Sequence, residues 1–138
     1  MSLAAILEAE VDAKKKADKA AAKFFTDMGG YAPTIGIIGT VLGLIHVLEN
    51  LSEPDKLGHL IAGAFVATLW GVLTANCLWL PIGNKLKRVG EIEAHHMELV
   101  LEGVLSVQGG ANPRVIEQKL RALLPADEKA GAIDRRAA

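Results

Sequence analysis

Residues 29–48 read GGYAPTIGIIGTVLGLIHVL, and residues 57–80 read LGHLIAGAFVATLWGVLTANCLWL. Neither stretch contains an Asp, Glu, Lys or Arg. The charge-free windows run from Met28 to Leu48 and from Leu57 to Asn84. A bilayer core takes about 20 apolar residues as a helix, so each stretch is long enough to cross one. The alternative is a small soluble all-α domain that buries both helices. A chain of 138 residues with 22% charged residues has little protein to wrap them on every side. The pattern therefore predicts an all-α membrane protein: a two-span transmembrane helical hairpin with cytoplasmic helical extensions. Neither stretch has the n-region and cleavage site of a signal peptide.

The connector carries Glu49, Glu53 and Asp55 against Lys56 alone. Lys14, Lys15, Lys16, Lys19 and Lys23 precede the first span, and Lys85, Lys87 and Arg88 follow the second. The basic excess at both outer ends predicts cytoplasmic termini and an external turn. Trp79 suits the interfacial ring and Trp70, in mid-span, does not. The expected organisation is a stem helix over 1–28, a hairpin over 29–83 with spans at about 29–49 and 57–81, a cytoplasmic helical tail over 84–125, and a flexible tail over 126–138. In the helical tail, Gly109, Gly110 and Ala111 end one helix. Asn112 caps the next, with Pro113 at its first position and Pro125 as its stop.

A plain anchor needs only Leu and Ile, but these spans are rich in small residues. Gly36, Gly39 and Gly43 line part of span one. Gly63, Ala67, Gly71 and Ala75 form a four-step ladder in span two, and such residues let helix backbones approach closely. The polar groups inside the apolar runs are Thr34, Thr40, His46, Thr68, Thr74 and Asn76. A threonine can bond back to its own helix. Asn76 needs a hydrogen-bonded place at a helix contact or a wet lumen. Pro33 is expected in a comfortable first turn of span one. Pro81 is expected to free the Cys77 carbonyl and kink a helix that continues through Lys85 and Lys87. No acid lies in either span, so an ion relay through a membrane carboxylate must take that carboxylate from a partner.

Signals for other chemistry are weak. Gly36-Ile-Ile-Gly39-Thr40 lacks the lysine and spacing of a phosphate loop, and His95 and His96 form no HExxH pattern. No cofactor, catalytic residue or metal site is expected, and a net charge of -1 gives no argument for nucleic-acid binding. Cys77 is the single cysteine and reads as a small apolar filler.

Several ordered motifs resemble one family. Gly30-Tyr31-Ala32-Pro33-Thr34-Ile35-Gly36-Ile37-Ile38-Gly39 with Leu42-Gly43-Leu44-Ile45 resembles the third membrane helix of flagellar motor stator A subunits (MotA), of the MotA/TolQ/ExbB proton channel family. Ala64-Phe65-Val66-Ala67-Thr68-Leu69-Trp70-Gly71-Val72, Ala75-Asn76 and Leu80-Pro81-Ile82 resemble the fourth. Glu102 to Ser106 and Asn112 to Glu117 resemble the family's tail. The resemblance covers roughly Gly29 to Pro125.

It implies a C-terminal portion of a stator ion-channel subunit that couples proton, or sodium, flow to motor rotation in the bacterial inner membrane. It also implies a MotB-like B subunit supplying a membrane aspartate, and a homo-oligomer that is a pentamer in the intact family. Residue by residue, it puts Pro33, Thr34, Thr68 and Pro81 at the ion pathway. Gly39, Gly43, Gly63, Ala67, Gly71, Ala75 and Asn76 are left to helix packing. Family members carry two earlier membrane helices and a large cytoplasmic region that touches the rotor protein. The chain therefore reads as the C-terminal half, without the region that meets the rotor. His59-Leu60 stands where the family often has proline and glycine. The alternatives are a TolQ- or ExbB-like energy transducer and a membrane scaffold hairpin without transport.

Overall fold

The computed structural model describes residues 2–126 and residue 128. Four α-helices and one π turn follow in order: α1 (Leu3–Glu49), α2 (Pro54–Thr74), the π turn (Ala75–Trp79), α3 (Leu80–Gln108) and α4 (Pro113–Leu123). The described residues contain no strand. They form two compact units, residues 17–89 and the described residues of 2–16 and 90–128. Of the tail expected to be flexible, all but Ala126 and Glu128 lies outside the described residues.

The expected stem and span one belong to a single helix, α1. Its first turns are alanine-rich with Lys and Glu, all strong helix formers, and the Ser2 hydroxyl accepts the Ala5 N–H at 3.3 Å. Pro33 consequently lies inside a helix and not in a first turn, which corrects the sequence expectation. It offers no N–H to the Gly29 carbonyl one turn earlier. Its neighbours Gly29 and Gly36 are poor helix formers, and their close packing against Leu80 and Ala67 carries the helix through.

The hairpin turn is tighter than the acidic connector suggested, since only residues 50–53 lie between α1 and α2. The Asn50 side chain donates to the His46 carbonyl at 2.8 Å and covers one of the acceptors left open at the end of α1. Pro54 then opens α2 at a position where its missing N–H costs nothing.

Small residues face inward in the 17–89 unit and large ones face outward. Ala22, Ala64 and Ala75 are among its few buried residues, while Ile35, Leu42, Phe65, Leu69 and Trp70 are exposed. A water-soluble domain does the reverse. With two helices long and apolar enough to cross a bilayer, this is the packing of a membrane protein, whose outer surface is solvated by lipid.

The π turn precedes Pro81, where the sequence predicted a kink. The Leu80 N–H donates to the Ala75 carbonyl five residues back, so the turn holds one residue more than an α-helix would. The register beyond it shifts accordingly. A Cβ on Gly29 would meet the Leu80 side chain at 2.5 Å, and one on Gly83 would meet the Thr26 Oγ1 at 2.8 Å. The Trp79 ring stacks against Phe25 with centroids 6.3 Å apart.

In the other unit, the end of α3 is a left-handed glycine cap. Gly110 has φ 71°, the Ala111 N–H donates to the Ser106 carbonyl at 3.1 Å, and the Gly110 N–H donates to the Val107 carbonyl at 3.0 Å. Asn112 caps α4 by accepting the Arg114 N–H at 3.0 Å. Leu120 of α4 rests on Gly103 of α3, and His95 Nε2 meets the Leu123 carbonyl at 3.0 Å. Lys14 pairs with Glu93 at 2.8 Å, and Lys15 pairs with Glu98.

Candidate functional site

The seam between α1 and α2 is backbone against backbone. A Cβ on Gly36 would sit 2.9 Å from the Ala67 carbonyl oxygen and 3.2 Å from the Gly71 Cα. Gly39 would meet the Ala67 Cβ at 2.8 Å, and Gly43 would meet the Ala64 Cβ at 2.6 Å. Ala67 and Gly71 therefore lie in the seam, and Ala75 is buried at its end. Gly63 does not share that face: nothing lies within 4 Å of where its Cβ would be, and Ala64 takes the contact. Four residues turn an α-helix about 40° past a full circle. Three steps of an i, i+4 ladder therefore drift too far for both ends to meet one partner.

The close approach brings two hydroxyls together. Thr40 and Thr68 are hydrogen-bonded to each other through their Oγ1 atoms. Thr40 Oγ1 also lies 3.2 Å from the Gly36 carbonyl oxygen and 3.1 Å from that of Ala64. Thr68 Oγ1 lies 3.4 Å from the Gly36 carbonyl. Thr68 thus reaches across to span one and not back along its own helix. A larger residue at Gly36 would drive the helices apart and separate the pair.

The other residues singled out in the sequence have different surroundings. Thr34 is exposed and donates to the Tyr31 carbonyl at 2.7 Å. Pro33 is half-buried and Pro81 exposed. Thr74 donates to the Trp70 carbonyl at 2.8 Å, and the Asn76 amide donates to the Val72 carbonyl at 2.9 Å, so both serve their own helix. Cys77 is exposed. No three His, Cys, Asp or Glu side chains converge as a metal site among the described residues.

In the sequence Thr40 is one polar residue among several, and no motif singles it out. The signal is nonetheless present: Thr40 lies four residues after Gly36 and between Gly39 and Gly43, on the small-residue face. A hydroxyl on the face that packs most closely is the one most constrained to bond across.

Outside the spans, two lysines hold their protons more firmly than usual. The Glu98 carboxylate raises the Lys15 pKa above its ordinary 10.5 chiefly by hydrogen bonding. The hydrogen bond from Lys23 to Asp27, at 2.6 Å, does the same for Lys23.

Comparison with known proteins assigns this arrangement to a family. Residues 1–99 match the profile of the MotA/TolQ/ExbB proton channel family. The chain is 48% identical over 124 residues to Motility protein A of Bacillus subtilis, covering 90% of this chain and 46% of that protein. It is 37% identical to chemotaxis protein PomA of Vibrio alginolyticus, covering 80% of this chain and 44% of the other. The chain thus spans under half the length of the curated relatives it matches. Among solved structures it resembles the flagellar MotAB stator complex from Bacillus subtilis, with TM-score 0.80 and 48% identity over 91% of this chain and 50% of that one. C. jejuni MotAB matches with TM-score 0.81 and 34% identity, covering 88% and 48% of the two chains. With its two apolar spans, its small-residue seam and these relatives, the chain belongs to the MotA/TolQ/ExbB proton channel family.

Proposed function

We propose that the chain acts as part of a flagellar stator ion channel, coupling proton or sodium flow to motor rotation. The observation that carries this reading is the likeness, at 48% identity, to a chain of a MotAB stator complex. The spans add a chemical argument. They offer hydroxyls and a tight helix seam but no acid. A carboxylate for the relay must then come from a partner, and a B subunit with an aspartate in a single membrane helix supplies it.

In this reading Pro33, Thr34, Thr68 and Pro81 border the ion path. Thr68 is its hydroxyl station, and the prolines shape the backbone on either side. The exposed faces of both spans suit packing against the B subunit and against further copies of the chain in a pentameric ring. The lysines beyond both outer ends favour cytoplasmic termini in the bacterial inner membrane. The chemistry is ion transfer and not enzymatic turnover.

Affinity isolation of the chain from host membranes tests the reading. A B-type subunit should be recovered with it, and the complex, unplugged and placed in vesicles, should pass protons or sodium ions. Asp→Asn in the partner's membrane helix should stop that flux. Thr68→Val should lower it without loss of B-subunit recovery, while Thr74→Val, whose hydroxyl serves only its own helix, should do less. Absence of any B-type partner, or flux indifferent to its aspartate, overturns the proposal.

A further inference from the structure

The basic side chains of the 17–89 unit, apart from Lys56 at the turn, gather in one narrow band. Gly83 of α3 lies against Thr26 of α1, and the contacts Gly36–Gly71 and Gly29–Leu80 make the two strands of the hairpin antiparallel. At 1.5 Å per residue, Lys85, Lys87 and Arg88 follow about 3–8 Å beyond Gly83, and Lys23 and Lys19 stand about 5–11 Å before Thr26. All five therefore fall on the same side of that contact, away from the hairpin turn. Two acids share the band, Asp18 and Asp27. Asp27 accepts from Lys23 at 2.6 Å. Lys19, Lys85, Lys87 and Arg88 are exposed and make no ion pair among the described residues. No Asp or Glu occurs between Asp55 and Glu91, so α3 has none in this band. In the other unit, Lys14, Lys15, Lys119 and Arg121 each meet a carboxylate. Four cations beside the apolar spans are thus left without partners.

The band adjoins an apolar surface. Trp79 stacks on Phe25, and Phe24 and Ile82 are exposed. Aromatic and aliphatic groups next to free cations suit a phospholipid at the height of its headgroup, with an acyl chain against the apolar groups and a phosphate against the ammonium and guanidinium groups. An acidic protein surface would satisfy the cations but not the apolar groups.

We propose that Lys19, Lys85, Lys87 and Arg88 form a binding surface for anionic phospholipid headgroups of the cytoplasm-facing leaflet. This rests on the reading that both termini are cytoplasmic. The lysines act as point charges, and Arg88 can hold a phosphate through two N–H groups at once. The surface distinguishes lipids by net charge: phosphatidylglycerol brings an uncompensated negative charge, whereas phosphatidylcholine carries a cation of its own that the band repels.

The test uses the full chain in its membrane complex, reconstituted in phosphatidylcholine vesicles with spin-labelled phosphatidylglycerol or spin-labelled phosphatidylcholine as the probe. The protein-bound, motionally restricted fraction of each is read by electron spin resonance. At low salt phosphatidylglycerol should be retained at least about fivefold more strongly, the factor that one basic residue supplies beside an anionic headgroup. About 0.5 M NaCl should erase most of that difference. Lys85→Gln, Lys87→Gln and Arg88→Gln combined should bring the ratio close to one, while Lys85→Arg with Lys87→Arg should keep it. Lys119→Gln, whose lysine is paired with Glu102, should leave it unchanged. If the triple variant fails to insert, Lys87→Gln and Arg88→Gln made singly should each lower the ratio. Equal retention of the two lipids by the unmodified complex overturns the proposal, and so does a preference that survives these substitutions. Displacement of the bound lipid by glycerol phosphate makes this a site for soluble phosphate and overturns the lipid assignment. A cysteine at Ser52, labelled in the same complex, separates the two readings. Labelling from the cytoplasmic side alone refutes the topology and the proposal with it, whereas external labelling beside equal lipid retention refutes the proposal only.

Discussion

Gly36 and Gly71 meet with no side chain between them: a Cβ on Gly71 would lie 3.0 Å from the Gly36 Cα and 2.6 Å from the Ala32 carbonyl oxygen. Backbone atoms cannot turn aside as a flexible side chain can. The first prediction follows from this contact. Gly71→Ala should destabilise the hairpin by roughly 1–3 kcal/mol, as overpacking does, and Gly71→Leu should abolish native assembly while insertion persists. Gly63→Ala, with open space at its Cβ, should change little. Thermal unfolding in detergent and crosslinking in membranes measure both. Equal destabilisation by the two alanine variants would count against the seam.

Topology gives the second prediction. In a Cys77→Ser background, a cysteine at Ser52 should react with a membrane-impermeant maleimide added to intact spheroplasts, and a cysteine at Ala17 should not. The turn around Pro54 is short and acidic, while the lysines stand beyond both outer ends. Labelling at position 52 only after lysis reverses the orientation.

A third prediction concerns alkaline pH. The Lys15 pKa is raised in the fold, so its pairing with Glu98 stabilises fully below the unfolded value of 10.5. That stabilisation is lost as pH rises through the higher folded value. Both side chains are substantially exposed, so the effect is local and small. The Lys15 Nζ resonance, followed by NMR, should titrate above that of an unpaired lysine. Glu98→Gln should bring it back down, and an unmoved midpoint would refute the pairing.

The fourth lies at the α3–α4 connection. Asn112→Ala removes the acceptor for the Arg114 N–H and should cost about 1 kcal/mol, with fraying at the start of α4. Gly110→Ala forces an L side chain into φ 71° and should cost about as much. Amide hydrogen exchange of residues 114–116 separates the two, since only the asparagine change should speed it.

The fold was largely legible because lipid imposes a coarse rule. Long charge-free stretches announce helices, and a short acidic connector announces a hairpin. Asn112, Pro113 and Gly110 announced the tail helices through local chemistry. The sequence misled where the answer depended on neighbours in space. Pro33 suggested a beginning because prolines favour first turns, yet packing of its neighbours Gly29 and Gly36 against Leu80 and Ala67 carries α1 through it. Gly63 looked like a rung because it shares the ladder's spacing, but helical drift turns it out of the seam. Thr68 was legible only through resemblance, and its bond to Thr40 depends on how closely two helices approach, which no spacing within one helix states.

The π turn makes the length of this chain negotiable at one place. The seam uses Gly71 of α2 and Ala75 at the start of the π turn, and after that turn it resumes at Leu80 and Gly83. Deleting any one residue from 76 to 78 would return that interval to ordinary α spacing, with Leu80 and Gly83 still facing Gly29 and Thr26. The same deletion anywhere between Ala64 and Gly71 would rotate everything downstream by about 100° and ruin the fit. The shortened helix would, however, press Pro81 into a regular α turn, at about 3 kcal/mol or a kink. The surplus residue and the proline therefore belong together as a single structural unit. A relative lacking one residue in this interval should also lack the proline.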